Sequence, residues 1–260
     1  MTVTDRDGRT RVVHTTEHHL FWDAASRTWV MAGDLYFRVL AGHPAWGYVD
    51  QPPLTPMLAK LGIVLFGDHL WSIRVWSILC AVAEVVLVAL LTREFGGGAG
   101  AQTFAAVGSC ASLVLIAGHL LSTATVDLVV WLLVILFATR ALLRGQPRWW
   151  LAAGVVVGLG LWNKQLVVLL LLGLLIAGPR DALRSRWLWA GVAIALVLGA
   201  PNLVYQITHD WPQARMAAAV SRNKGEDDRI MLLPFQLLLL GPLLVPVWVA
   251  GWIRLFRAPR

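Results

Sequence analysis

Charge is what this chain has least of. Asp, Glu, Lys and Arg make up 14% of its 260 residues, against roughly 25% in a soluble domain. That is too few to cover a water-facing surface, so a soluble globular protein is excluded. With 58% of residues drawn from AVILMFWYC, disordered, coiled-coil and collagen-like chains are excluded as well. Cysteine is nearly absent. Cys80 and Cys110 both fall inside apolar runs and read as buried small hydrophobes, so a disulfide-stapled fold is excluded too. Residues 1–30 lack an apolar run of signal-peptide length. No internal repeat or low-complexity tract is present.

What remains is an integral membrane protein, with a mean hydropathy of +0.66. The net charge of +7 does not point to nucleic acid, because the positive residues form short arginine clusters between apolar runs, as cytoplasmic membrane loops do. Fourteen tryptophans are present, and Trp71, Trp149, Trp150, Trp187 and Trp252 flank apolar runs, as interfacial belts require. The fold class expected is all-α: a multi-span helix bundle. Residues 1–30 read as a polar, disordered tail, and residues 31–256 as one transmembrane domain. Its first outer loop, 31–70, carries short helices, and its spans lie at about 71–92, 101–118, 123–139, 149–162, 165–178, 187–206 and 231–252. A crossing needs about 20 residues of helix.

Orientation follows from the connections. Arg93, Arg140, Arg144, Arg148, Arg180, Arg184, Arg186, Arg254, Arg257 and Arg260 would share one side, against Lys164, Arg215, Arg222, Lys224 and Arg229 on the other. The richer side is expected to be cytoplasmic, which puts 31–70 and 207–230 outside. The stretch 149–178 must leave and return to one side, yet each arm has only about 14 residues, or about 21 Å of helix. Its tip, Asn163-Lys164, then lies in the outer half of the bilayer, where the Lys164 ammonium can reach outward. Lys164 is either an interfacial lysine of a short hairpin or a cation facing a lipid phosphate.

An ionisable group inside a span costs about 2.5–3.5 kcal/mol and needs a partner or a task. Asp127, after Ser122-Thr123-Ala124-Thr125, is either a carboxylate favoured by a helix N-terminus or a site residue. Glu84 is expected to be paired inside the bundle. His119 reads as interfacial, and His14, His18 and His19 as incidental to a polar tail. The outer segment Gly33-Asp34-Leu35-Tyr36-Phe37 to Gly47-Tyr48-Val49-Asp50-Gln51-Pro52-Pro53 sets two carboxylates among aromatics. Its prolines, with Pro56, are expected to end regular structure after Asp50. Aromatic rings suit apolar sugar faces, and a carboxylate can take a hydroxyl proton. The plain alternative is a solvated loop. Arg229, expected just before the last span, can meet a lipid phosphate or be an ordinary juxtamembrane arginine.

These segments, with Thr125-Val126-Asp127, Trp162-Asn163-Lys164 and His209-Asp210-Trp211-Pro212-Gln213, resemble the polyprenyl-phosphate-dependent membrane glycosyltransferases of GT-C architecture, the protein O-mannosyltransferase and aminoarabinose-transferase clan. The resemblance runs from about residue 31 to 256. It implies an inverting transfer of a sugar from a polyprenyl-phosphate donor to an extracytoplasmic acceptor, at the cell membrane. It implies Asp34 as general base, Asp50 on the acceptor or metal side, and Lys164 and Arg229 on the donor phosphate. Asp127, Tyr48, Gln51 and His209 would support them. No cofactor is required, and a divalent metal is open only at Asp50. The sequence departs from the family in Leu35, where an acidic residue is usual, and in Gln51, where some members carry lysine. The family opens on a membrane helix before this loop and runs longer, so the chain reads as a truncated or mis-started member. A multi-span transporter or an inactive membrane fragment is the rival reading. Charge placement opposes a transporter, since the polar and aromatic residues gather in two outer loops. In a cysteine-free background, Ala217→Cys should react with an impermeant thiol reagent in intact cells while Gly145→Cys resists it; the reverse pattern would invert the orientation.

Overall fold

The structure, a computed structural model, describes residues 2–4, 10–12, 20–23, 28–110, 120–240 and 244–257. His14, His18, His19 and His119 lie outside them. Within residues 1–30, read from sequence as a disordered tail, β1 (Thr2–Thr4) pairs antiparallel with β2 (Thr10–Val12). β3 (Leu20–Asp23) pairs with β4 (Thr28–Met31), Trp22 opposite Trp29. β-branched and aromatic residues supply these short ladders.

The rest is helical. α1 (Ala32–Gly42) and α2 (Leu54–Phe66) precede α3 (Leu70–Glu94), α4 (Ala99–Cys110) and α5 (Thr123–Leu143). α6 (Trp149–Gly160) and α7 (Val167–Ala177) follow, then a 3₁₀ turn at Arg180–Arg184 and α8 (Arg186–Thr208). α9 (Pro212–Leu240) and α10 (Val245–Arg257) end the described chain. Among the described residues, α3, α5 and α8 are long and apolar enough to cross a membrane. α6 and α7, of 12 and 11 residues, are too short for the ~30 Å core, as the arm lengths in the sequence require.

Four expectations are corrected. Pro52, Pro53 and Pro56 do not end regular structure; Pro53 caps α2 and Pro56 lies in its first turn. Proline is tolerated there because the first N–H groups of a helix have no intrahelical partner to lose. The connection 207–230 and the span 231–252 are not a loop followed by one helix. α9 begins at Pro212 and runs to Leu240, because Ala214 to Val220 and the charged turns after it suit a helix. Arg229 therefore stands within α9. Cys110 is exposed and Cys80 half-buried, both free thiols. Glu84 is buried on α3, but no ion-pair partner for it is found among the described residues.

Two apolar clusters hold the bundle. Phe37, Ala41, Ala59, Ile73 and Leu121 join α1, α2 and α3 to the start of α5. Val130, Val134, Val157, Val167 and Ala195 join α5, α6, α7 and α8. At the far end Glu94 accepts from Arg140 Nε at 2.8 Å and Arg144 Nε at 2.6 Å, clamping α3 to α5. α6 and α8 approach backbone to backbone: a Cβ on Gly154 would stand 2.2 Å from Gly191 O, and one on Gly191 would stand 2.3 Å from Trp150 O. Small residues are how membrane helices pack this closely. Gly154→Leu should lower the melting temperature in detergent far more than Gly173→Leu, whose Cβ meets nothing within 4 Å, since overpacking costs about 1–3 kcal/mol or more. Equal melting of the two variants would refute this contact.

Candidate active site

The turn between α6 and α7 organises the site. Two short arms leave Trp162, Asn163 and Lys164 at the level where other helices begin. The Asn163 side chain is 0% exposed. Its Nδ2 donates to Thr123 O at 2.8 Å, at the start of α5. Its Oδ1 accepts from Thr55 Oγ1 at 2.7 Å, in the first turn of α2. The Leu54 N–H, one of the groups a helix start leaves without a partner, donates to Trp162 O at 2.8 Å. Trp162 Nε1 donates to Leu198 O at 2.6 Å and Asn202 Nδ2 to Leu161 O at 2.8 Å, both from α8. Three separate segments thus meet on one turn. Lys164 is half-buried beside Asn163 and stands within coulombic reach of Asp127. Asp127 is itself buried, one turn into α5, whose N-cap is Ser122.

The first loop is held by its tyrosines. Tyr36 on α1 donates a short hydrogen bond to Asp50 Oδ2, and Gln51 Nε2 donates to Tyr36 Oη at 3.2 Å. Burial, then the bond to Asp50, pushes the Tyr36 phenol well above its ordinary value, so it remains a donor. Tyr48 Oη accepts from Ala45 N at 3.2 Å and donates to His43 O at 3.0 Å, while Tyr48 N donates to Gln51 O at 3.0 Å. Burial also raises the Tyr48 phenol; its bonds go to the loop backbone, so it shapes the loop. A Cβ on Gly47 would lie 2.3 Å from Tyr205 Cδ1, so glycine is needed for α8 to lie against this loop. Tyr205 stacks on His209 at 4.1 Å between ring centroids, which joins His209, exposed at the end of α8, to the same corner.

Asp34 and Asp50 differ sharply. Asp50 is exposed. Asp34 is 1% exposed, on the α1 face that also buries Phe37 and Ala41. Its Oδ2 accepts from Arg74 Nη2 of α3 at 2.6 Å, and its Oδ1 has no hydrogen-bond partner among the described residues. Among the expected residues, Asp50, Gln51 and Tyr48 come together, and Lys164 comes to Asp127. The Leu54-Thr55 contacts with Trp162-Asn163 link the two groups. Arg229 lies within α9, and its side chain is outside the described residues. Asn163, Thr55, Arg74 and Tyr36 were not singled out as site residues. Arg74 was findable, since the cost argument applied to Glu84 and Asp127 holds equally for a guanidinium near the start of a span. For a metal at Asp50 the donor set does not fit. No group of three His, Cys, Asp or Glu residues that could hold a metal is found among the described residues, and Asp50 Oδ2 already accepts a hydrogen bond from Tyr36.

Known proteins resemble this chain. YkcB, a candidate mannosyltransferase of Bacillus subtilis strain 168, is 28% identical over 124 residues, 48% of this chain and 17% of its own length. The apo crystal structure of ArnT from Cupriavidus metallidurans superposes with a TM-score of 0.56 at 20% identity, over 75% of this chain and 39% of that one. ArnT bound to undecaprenyl phosphate gives 0.50 at 22%, over 68% and 36%. These likenesses show the fold, and the chain spans well under half the length of either relative. The sequence pattern of the dolichyl-phosphate-mannose-protein mannosyltransferases matches residues 50–205, a stretch that holds Asp50, Thr55, Thr123, Asp127, Asn163 and Lys164 and covers more than half of the chain, and to that family this chain belongs.

Proposed function

We propose that the chain forms the core of a membrane glycosyltransferase that moves a sugar from a polyprenyl-phosphate-linked donor to an acceptor on the extracytoplasmic side of the cell membrane. The observation that carries this reading is the buried Asn163 turn, which sets Lys164 within coulombic reach of Asp127 and ties α5 to the helix that follows the carboxylate loop. A single cation at the end of two short arms suits a lipid phosphate at the membrane surface. The relative ArnT has been crystallised with undecaprenyl phosphate, which supports a carrier of that class.

The chemistry is a single displacement with inversion. The acceptor oxygen forms its bond to the anomeric carbon as the carbon–phosphate oxygen bond breaks, and the electron pair leaves on the phosphate. Lys164 and Arg229 stabilise that phosphate. The acceptor proton goes to Asp34, whose Oδ2 is fixed by Arg74 and whose buried Oδ1 has no hydrogen-bond partner among the described residues. Asp50, with Tyr36 and Gln51, lines the acceptor side, while Asp127 steadies Lys164 and Tyr48 and His209 frame the loop.

Measured on the full protein in nanodiscs, Asp34→Asn should lower turnover at least a hundredfold with donor affinity nearly intact, since general-base catalysis contributes roughly 10²–10⁴-fold. Unchanged turnover, with loss in Asp50→Asn instead, would move the role to Asp50. Lys164→Ala should weaken undecaprenyl phosphate binding by about 1.5–3 kcal/mol, the range for a hydrogen bond to a charged group. Lys164→Arg should keep most of that affinity. Equal affinity of Lys164→Ala and wild type would remove the lysine from the donor site.

A further inference from the structure

At the end of α6 away from the Asn163 turn, a groove of about 750 Å³ lies between the start of α6 and the start of α8. Its lining includes Gln146, Arg148, Trp149, Leu151, Arg186 and Trp187. The 12 residues of α6, about 18 Å of helix, separate it from the turn that carries Lys164. Two aromatic walls shape it. Trp149 stacks on Phe137 of α5 at 5.1 Å between centroids, lies under the Arg140 guanidinium at 4.8 Å, and donates through Nε1 to Gln146 Oε1 at 2.9 Å. Trp187 takes two guanidinium groups, Arg148 at 5.5 Å and Arg186 at 5.2 Å from its ring centroid. Both lie within the roughly 6 Å of a cation–π contact.

The charge in this groove has one sign. At the same end of the bundle Arg140 and Arg144 are neutralised by Glu94, and Arg184 pairs with Asp181. For Arg148 and Arg186 no ion pair or side-chain hydrogen bond is found among the described residues, and no carboxylate is found among those that line the groove. A ring holds a guanidinium by its face and leaves the N–H groups at its edge to donate elsewhere. Gln146, its oxygen engaged by Trp149, has its NH₂ group left to donate. The polar side chains of the groove therefore offer donors, two of them charged, which suits an anion with several oxygen acceptors.

The surroundings decide which anion. Arg186 is the first residue of α8, a helix long and apolar enough to cross a membrane, so the groove stands where a span meets the headgroups. On α6, Arg148, Leu151, Val155 and Leu159 are spaced by three and four and share one face, and Val155 and Leu159 are exposed. A basic groove continued by an exposed apolar face matches a phospholipid, with its headgroup at the arginines and an acyl chain along α6. A zwitterionic headgroup would bring an ammonium towards two guanidiniums, which repel it. An anionic headgroup carries no such cation.

We propose that this groove binds the phosphodiester headgroup of an anionic phospholipid, in the leaflet opposite the one assigned to the carrier phosphate, with Arg148 and Arg186 as its ligands. No residue of the groove has a part in the sugar transfer, so the two readings stand or fall separately.

The test titrates the full protein in detergent with phosphatidylglycerol or with phosphatidylcholine of the same acyl chains, and counts bound lipids by native mass spectrometry. Wild type should bind its first phosphatidylglycerol about 25-fold more tightly than phosphatidylcholine, since each arginine at an anionic lipid surface is worth about fivefold. Arg148→Gln and Arg186→Gln should each lower that preference about fivefold, and the double variant should abolish it. Arg184→Gln removes the same charge from the same end outside the groove lining, and should leave the preference as in wild type. Glycerophosphoglycerol, the headgroup without acyl chains, should not displace the lipid at equal concentration. Melting temperatures in detergent alone check that each variant folds, and the wild-type comparison stands without them. Equal binding of the two lipids by wild type overturns the proposal. So does a preference that survives the double substitution, or one that Arg184→Gln weakens as much as Arg148→Gln, which would leave only diffuse surface charge. Displacement by the free headgroup would make the ligand a soluble phosphodiester and overturn the lipid assignment.

Discussion

The structure depends on one buried side-chain amide. Asn163 carries both donors and acceptors, and its place at the tip of two arms too short to reach water leaves none of them solvated. An amide buried without partners costs about 1–3 kcal/mol, more where the surroundings are dry and bonds are correspondingly stronger. The turn therefore recruits partners from whatever lies nearby: the carbonyl of Thr123 before α5 and the hydroxyl of Thr55 in α2. The same economy runs in reverse for α2, whose Leu54 N–H finds Trp162 O. Because Asp50, Asp127 and Lys164 each lie within four residues of one of these contacts, the demand for hydrogen bonds assembles the site.

Much of this was legible from residue counts. Scarce charge and long apolar runs gave the bundle, and the distance between the arginine clusters gave two arms that cannot cross. The same arithmetic put Lys164 at the tip. What could not be read was long-range pairing. Nothing local in Asp34 or Asp50 says which is buried, since both are aspartates beside glycine, tyrosine and small apolar residues. The answer came from Arg74, forty positions away, which draws Asp34 into the core of α1 and α3. The prolines after Asp50 misled for a related reason: their effect depends on whether a helix starts or stops there, and the acceptor at Trp162 decides it. The charged stretch before Arg229 misled because polarity alone does not distinguish a loop from a polar stretch of helix.

The two carboxylates also show how one loop can hold like charges in different states. Asp34 is neutralised by a guanidinium in the packed interior, where removing either partner would leave an uncompensated charge. Asp50 at the surface is steadied by the Tyr36 phenol, whose proton burial keeps in place. The first carboxylate is held by an ion pair from α3, the second by a phenol from α1.

The α8 helix joins close packing and hydrogen bonding on a single stripe. Its buried residues are Gly191, Ala195, Gly199, Asn202 and Gln206, spaced by three or four and so on one face. Along the first half the stripe is made of the smallest side chains, and there α6 comes close enough for backbone to touch backbone. Past Gly199 the same face changes to amides without changing direction. Had the small residues continued, α8 would meet the α6–α7 turn with a dry contact and Leu161 O would lack a side-chain donor. With amides there instead, Asn202 donates to Leu161 O and Gln206 Oε1 accepts from the Gln213 backbone N–H. Close packing below holds α8 against α6, and the Asn202 amide carries that contact on to the α6–α7 turn at Leu161.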